Sequence, residues 1–406
     1  MPSAQAAEFA TSEIDRLNLD VRVDYLGPSG HRTARVRLLR DGVQVAIGFG
    51  KGAEAQGNAS ALFEALERYL MSAQDNRRYA PGGADLLSAA EVASQPYLRA
   101  DLVVQRWATE FPEAVAACAM HCGAAGAVFY PLFLTDPRYF RRPLPRDSVQ
   151  PYRSLLRYAS SLGTAAGMNL TEATHHGLCE LIEHDGVSQA LLRWFIARTP
   201  GIDVVDCASL PDRLRALYLD AVQVARAPVH LIDVTTDIEV PVYLAMSQLD
   251  ASRVTCVGAG ASPSGAHAAE RALSELIQTT ALTEDLSGDA AANRLRAWPA
   301  LQRCARLPIG DLLSGPVRRV ALRKTPDGDD DPERGLEQVG RLLRQRNIEF
   351  FVCEVAPPES LISVATTIAP GLERFSLVRL GVPVTPTGRG WRMWPRARLG
   401  AEVAAA

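Results

Sequence analysis

The stretch from Gly163 to Gln189, GTAAGMNLTEATHHGLCELIEHDGVSQ, constrains this chain more than any other. A glycine-bearing turn leads into a segment with helical apolar spacing, in which Glu172, His176, Glu180 and Glu183 recur at i, i+4, i+8 and i+11. On a helix those four side chains share one face. A fold built around such a helix must give its acidic stripe either water or a cation. Taken alone, the stripe reads as a solvated face.

Two further segments repeat the pattern. SALFEALERYL carries Ser60, Glu64, Glu67 and Arg68 at i, i+4, i+7 and i+8, and ERALSELIQ carries Arg271, Glu275 and Gln278 at i, i+4 and i+7. Three predicted helices therefore each place a polar stripe beside apolar residues. Carboxylates gathered with Arg, Ser and Gln suit hard cations and phosphate. Mg²⁺ takes oxygen ligands and is usually held by one or two carboxylates plus substrate phosphates. Arg offers a planar donor fork that matches phosphate. Several Mg²⁺ ions bridging a triphosphate would need several carboxylates, and the stripes hold at least five.

In order and internal spacing, Ser60-x3-Glu64-x2-Glu67-Arg68, then Glu172…Glu180-x2-Glu183, then Arg271-x3-Glu275-x2-Gln278 resemble the three ATP-binding motifs of the YcaO family. The resemblance runs from about Gly48 to Pro383, and three linked motifs are far more specific than one. The text around them, PLFLTDPRYF and then GTAAGMNLTEATHHGLCELIEHD, is similar to cyclodehydratase subunits of microcin-type azole synthetases. The resemblance implies an α+β fold with pseudo-symmetric sheets and helices enclosing an ATP site. It implies ATP-dependent activation of peptide-bond carbonyls, with ATP and Mg²⁺ as cofactors. On this reading Glu64, Glu67, Glu180, Glu183 and Glu275 hold Mg²⁺, and Ser60, Arg68, Arg271 and Gln278 contact nucleotide. Asn169 and Glu172 lie near the nucleotide or the metals, and Lys51, in the glycine-rich turn Gly48 to Gly52, approaches nucleotide or sits as a solvated loop lysine. The general base is not identified.

Two departures qualify the product. Family members usually carry Arg after the second carboxylate of the central motif, where this chain has His184. Azoline-forming members also commonly end in a Pro-x-Pro-x-Pro tail, of which Pro383-Val384-Thr385-Pro386 is a fragment. Cyclodehydration of Cys, Ser or Thr in a ribosomally made precursor peptide is the first expectation. Thioamide or macroamidine formation at the same site is the alternative, and a non-catalytic scaffold is a rival from another class. The resemblance implies a precursor peptide as partner, a separate leader-binding or E1-like protein, and an FMN-dependent dehydrogenase where azoles are made. Too few residues precede the first motif to hold a leader-binding module as well as the strands read there. The basic tail with Trp391 and Trp394 is one docking candidate, or a frayed terminus.

Composition excludes several classes. Formal net charge is −3, which argues against a dedicated nucleic-acid binder. No apolar run reaches the roughly 20 residues of a membrane helix, and the acidic N-terminus lacks the apolar core of a signal peptide. A cytoplasmic protein is expected. Seven cysteines are scattered among apolar neighbours. Cys118 and Cys122, around His121, lack the second ligand pair of a zinc site.

Read in order, residues 1–20 predict a helix, and alternation through residue 52 predicts strands with a hairpin at Asp41-Gly42. Residues 101–110 read as the start of a strand, and 114–129 are too alanine-rich to assign. Residues 131–146, with Arg138, Arg141, Arg142 and Arg146, are an irregular loop, either solvated or part of a peptide entrance. A largely apolar helix continues past residue 186 to about Thr199. Asp327, Asp329, Asp330 and Asp331 form an acidic loop without EF-hand spacing. Strands and helices alternate without a βαβ rhythm, which favours α+β. The division expected is 1–47 (N-terminal helix and strands), 48–386 (ATP-binding catalytic domain) and 387–406 (tail).

Overall fold

Alternation between Asp20 and Gly50 builds the first sheet of the computed structural model, which describes residues 3–27, 32–52, 54–73, 85–141, 143–249, 254–283, 290–324 and 331–390. Helix α1 (Ser3–Arg16) precedes β1 (Asp20–Leu26), β2 (Thr33–Arg40) and β3 (Val43–Gly50), an antiparallel sheet in that order. Asp41 and Gly42 turn β2 into β3 with φ of 52° and 77°, the positive values that a tight I′ hairpin requires. The first stripe helix, α2 (Glu54–Ala73), lies on β2 and β3, and shares a core of Ala10, Ile14, Val36, Leu38 and Leu66 with α1 and the sheet. β3 thus runs across residues 47 and 48, and both sides of that point pack into one core.

The second sheet is six-stranded and antiparallel. It takes β4 (Asp85–Ser88), β5 (Val115–Gly123) and β6 (Gly126–Pro131), with α3 (Ala89–Ser94) and α4 (Leu102–Glu110) between β4 and β5. Short helices α5 (Leu132–Thr135) and α6 (Val149–Tyr152) lead to β7 (Thr164–Gly167) and the central helix α7 (Leu170–Leu191). The third sheet is ordered β11-β10-β9-β8-β12, with β8 (Ile202–Val205), α8 (Asp212–Ala225), β9 (Val229–Asp233), β10 (Val242–Leu249) and β11 (Val254–Ala261) preceding the third stripe helix, α9 (Gly265–Thr283). Helices α10 (Ala290–Arg294), α11 (Pro299–Arg306) and α12 (Ile309–Leu313) follow, then β12 (Val317–Val320), which pairs β8 in the one parallel ladder among the described strands. After α13 (Pro332–Arg344), β13 (Phe351–Glu354) and β14 (Ser363–Ile368) close the second sheet in the order β4-β5-β13-β14-β7, with β6 on β5. This is the α+β architecture that the alternation predicted.

One local expectation changes and two segments gain detail. Residues 102–110 are helical, not extended. Asp101 Oδ1 accepts from the backbone N–H groups of Val103 and Val104, at 3.0 and 3.3 Å. That cap satisfies two otherwise unpaired donors, and Val103, Val104 and Trp107 are buried at helical spacing. The alanine-rich stretch after residue 114 forms the β5–β6 hairpin. Past residue 191 the central helix widens into a π turn over Leu192–Ile196, where the Ala197 N–H reaches the Leu192 carbonyl at 2.8 Å. Among the described residues no helix is long and apolar enough to cross a membrane.

Candidate functional site

Each stripe helix rests on a strand that its backbone nearly touches. A Cβ on Gly50 of β3 would stand 1.6 Å from the Gly57 carbonyl oxygen of α2, and one on Gly48 would stand 2.2 Å from that of Ala61. Beneath α9 the geometry repeats: a Cβ on Gly258 or Gly260 of β11 would come within 2.2 Å of the Ala272 or Ala268 oxygen. At the start of β7, a Cβ on Gly177 of α7 would lie 2.3 Å from the Gly163 oxygen. Side chains are excluded at such approaches, so glycine sets how near each helix can lie. The opposite side of α7 reaches the third sheet at Gly186, where a Cβ would be 3.0 Å from Val242. The central stripe is thereby held between two sheets and faces those of α2 and α9.

The structure brings the predicted carboxylates together. Glu64 accepts from the Phe49 N–H at 2.8 Å and pairs with Arg68, whose guanidinium also donates to the Ile47 carbonyl at 2.9 Å. Burial pushes the Glu67 carboxyl well above the usual range, reinforced by the charges of Glu180 and Glu64. Glu180 accepts from the Gly163 N–H at 3.0 Å. Burial, with the Glu183 charge, raises it to about 7, against that hydrogen bond, Arg271 and Lys51. Glu183 is 8 % exposed and is also pushed up, by burial and by Glu275. Glu275 shifts the other way: burial would raise it, but the Lys51 ammonium, 2.6 Å away, holds it below the ordinary carboxylate value. Lys51 therefore ties the turn after β3 to α9.

Arg271 acts electrostatically on Glu180, Glu183 and Glu275, and its Nε is buried without a hydrogen-bond partner. Ser60 and Gln278 are half-buried on α2 and α9, one turn from Glu64 and Glu275. Asn169 and Glu172 serve the helix start itself. Asn169 Oδ1 caps the Glu172 N–H at 2.9 Å, and Glu172 accepts from the Met168 N–H at 2.9 Å. Among the described residues no group of three or more His, Cys, Asp or Glu closes on a single point. The carboxylates instead form a partly buried acidic region shared by three helices, with the unpartnered Arg271 Nε beside it. That donor set fits hard cations whose coordination is completed by phosphate oxygens.

Sequence reasoning missed the segment that closes this region. The backbone after β14 forms a 3₁₀ turn over Phe375–Leu380, and Ser376 Oγ lies 2.8 Å from His184 Nδ1. Burial lowers the His184 pKa to about 4, so the imidazole is neutral where a guanidinium was expected. Just ahead of the turn, Glu373 is 1 % exposed and its carboxylate accepts from the N–H groups of Arg374, Phe375, Thr387, Gly388 and Gly390 and from the Thr387 hydroxyl. Pro383 and Thr385 are held as well, by Arg157 and Tyr158. The proline-containing segment is thus strapped to the core. An isolated Glu between Leu372 and Arg374 gave no sign of this role. The glycine pairs Gly48/Gly50 and Gly258/Gly260 were a usable signal of the repeated strand-to-helix unit.

Other candidates separate from the site. Cys118 is buried and Cys122 exposed on β5, and four strand residues span about 13 Å, so the two cannot share a metal ion. Residues 132–135 are buried, and the exposed members of the arginine group are Arg138, Arg141 and Arg146. Arg142, Asp327, Asp329, Asp330, Trp391 and Trp394 lie outside the described residues, whereas Asp331 caps α13 through the Glu333 N–H.

Comparison with known proteins places this arrangement. Residues 49–373 match the family model described as YcaO cyclodehydratase, ATP- and Mg²⁺-binding. An uncharacterized protein in the tfuA 3′ region of Rhizobium leguminosarum bv. trifolii is 31 % identical over 248 residues, 57 % of each chain. A heterocyclase solved in complex with substrate and cofactor superposes with a TM-score of 0.70 at 17 % identity, covering 99 % of this chain and 57 % of that one. The chain therefore spans little more than half the length of either relative. The YcaO of Methanopyrus kandleri, bound with AMPPCP and Mg²⁺, gives 0.63 at 16 % identity over 96 % of both chains. The E. coli microcin synthetase McbBCD complex gives 0.56 at 12 % identity over 88 % of both. At these identities the superpositions establish the fold.

Proposed function

The chain belongs to the YcaO family of ATP- and Mg²⁺-binding cyclodehydratases, and from that premise we propose that it activates backbone amides of a ribosomally made precursor peptide, forming azolines from Cys, Ser or Thr. The observation that carries this reading is the meeting of three acidic stripes with Lys51, Arg68 and Arg271 at one region. In the proposed reaction a side-chain nucleophile attacks the preceding carbonyl, ATP phosphorylates the oxygen, and phosphate leaves. Amide oxygen is a poor leaving group, so the chemistry comes from the nucleotide, while the protein positions it and offsets its charge. Glu64, Glu67, Glu180, Glu183 and Glu275 would hold Mg²⁺. Lys51, Ser60, Arg68, Arg271 and Gln278 would address nucleotide, with Asn169 and Glu172 fixing the helix start beside it. The likeness to a multi-subunit synthetase supports a separate leader-binding partner.

A second product class is favoured by one observation. The fragment from Pro383 to Pro386 is tied down by Arg157, Tyr158 and the Glu373 strap, which suits thioamide or macroamidine formation without a proline-rich tail at the reacting atoms. Calorimetry with AMPPCP tests the shared premise: binding should require Mg²⁺ and vanish in Glu183→Gln. Equal binding with and without Mg²⁺ would overturn it. Mass spectrometry of peptide products then separates thioamide, which exchanges oxygen for sulfur, from the two products that lose one water, and fragmentation together with loss of the free N-terminal amine separates macroamidine from azoline.

A further inference from the structure

The 3₁₀ turn over Phe375–Leu380 is fixed along its whole length. At its start Glu373 accepts from the Arg374 and Phe375 N–H groups at 2.9 and 3.1 Å. In its middle the Ser376 N–H donates to Ser188 Oγ at 2.8 Å, while Ser376 Oγ meets His184. At its end Arg294 donates to the Leu380 carbonyl at 2.7 Å. Residues i and i+3 eclipse on a 3₁₀ helix, so Arg379 stands directly beyond Ser376, on the face turned to α7 and His184. Its charge is felt by His184, and that of Glu275 acts on Arg379.

Glu275 is already paired with Lys51 at 2.6 Å. Arg379 forms no ion pair with it, and the Arg379 Nε is buried without a hydrogen-bond partner. Arg379 is half-buried, and a guanidinium nitrogen buried without a partner is costly; a rigid turn that keeps it there pre-organises the side chain for an incoming anion. Resting on the ATP reading above, we infer that Arg379 is an additional phosphate-binding residue, donating to the triphosphate of the bound nucleotide beside Glu275. It would supply from the C-terminal turn a guanidinium where the central helix carries the shorter imidazole of His184, already hydrogen-bonded to Ser376 Oγ at 2.8 Å.

The test is calorimetric binding of AMPPCP with Mg²⁺, and of AMP, to wild type, Arg379→Gln and the double variant His184→Arg/Arg379→Gln. A lost charge-assisted hydrogen bond should weaken AMPPCP binding by about 10- to 100-fold. AMP affinity and the melting temperature of the ligand-free protein should hold or rise. The double variant, which returns a guanidinium from the facing helix, should recover much of the loss. Equal AMPPCP affinity in wild type and Arg379→Gln overturns the inference and leaves the ATP reading standing. Parallel loss of AMP and AMPPCP binding with a lowered melting temperature assigns Arg379 a structural role and also overturns it. Failure of wild type to bind AMPPCP at all overturns the ATP reading itself.

Discussion

Glu180→Gln should stabilise this protein while removing its function. Glu180 is raised from 4.5 to about 7, first by burial and then by the Glu183 charge. At about 1.4 kcal/mol per unit, ionising it in the ligand-free fold costs on the order of 3 kcal/mol, and partial exposure brings that nearer 2. Its folded pKa lies above its unfolded one, so the folded state holds more protons between the two values. Stability therefore falls as pH rises from about 4.5 to about 7, and is flat beyond. Gln keeps an acceptor for the Gly163 N–H, which now donates to Glu180 at 3.0 Å, and it carries no charge. Relief should spread to Glu67, whose carboxyl is pushed up in part by Glu180. Urea unfolding without Mg²⁺ should show the variant more stable by about 2 kcal/mol near pH 8, with the gap closing toward pH 5. Mg²⁺-dependent AMPPCP binding should be lost, because a carboxylate proposed to hold Mg²⁺ is gone. A variant less stable than wild type at alkaline pH, or a gap independent of pH, would refute the reasoning.

Other perturbations probe the supports of the site. Gly50→Ala puts a Cβ 1.6 Å from the Gly57 oxygen, so α2 must lift from β3. The expected cost is about 3 kcal/mol or more in urea unfolding, with Mg²⁺-dependent nucleotide binding lost, and a near-neutral effect would count against the close-packed geometry. Glu373→Ala strands five backbone N–H donors. It should destabilise by about 3–5 kcal/mol and expose residues 383–390 to limited proteolysis, and unchanged cleavage would dismiss the strap. His184→Arg should leave the fold intact and hold or raise AMPPCP affinity, as an added cation beside Glu275 predicts. A large loss of ATPase activity at wild-type melting temperature would instead give His184 a role of its own.

What could be read from the sequence follows from how local each signal is. The stripes were legible because helical spacing is a local property: Glu64, Glu67, Glu180, Glu183 and Glu275, read from the sequence as Mg²⁺ ligands, stand close enough in the fold to feel one another's charge. The Asp41-Gly42 hairpin was legible because positive φ at two successive positions leaves few residue choices. The strand expected at residues 101–110 failed on competing local signals: consecutive valines suggested β structure, while the Asp101 cap and the buried position of Trp107 decided for helix. Lys51 stayed ambiguous because its partner, Glu275, lies 224 residues away. Arg379 and the Glu373 strap were illegible for the same reason, since both act through contacts that only the folded chain makes.

The glycines carry the site's geometry further than the carboxylates do. A polar stripe fixes which face of a helix is acidic, but not how far it stands from the next stripe. That distance is set where Gly48 and Gly50 lie under α2 and where Gly258 and Gly260 lie under α9, with carbonyl oxygens too near for any Cβ. Pressing both helices onto their strands brings Lys51, from the turn after β3, within 2.6 Å of Glu275 on α9. The same closeness buries Glu67, Glu180 and Glu183, which raises their pKa values, and neighbouring carboxylate charges add to the rise. Carboxylates held this near without a counter-cation oppose folding. Cation and triphosphate binding would therefore relieve a strain that the glycine contacts impose, and affinity should depend on glycines that touch no ligand.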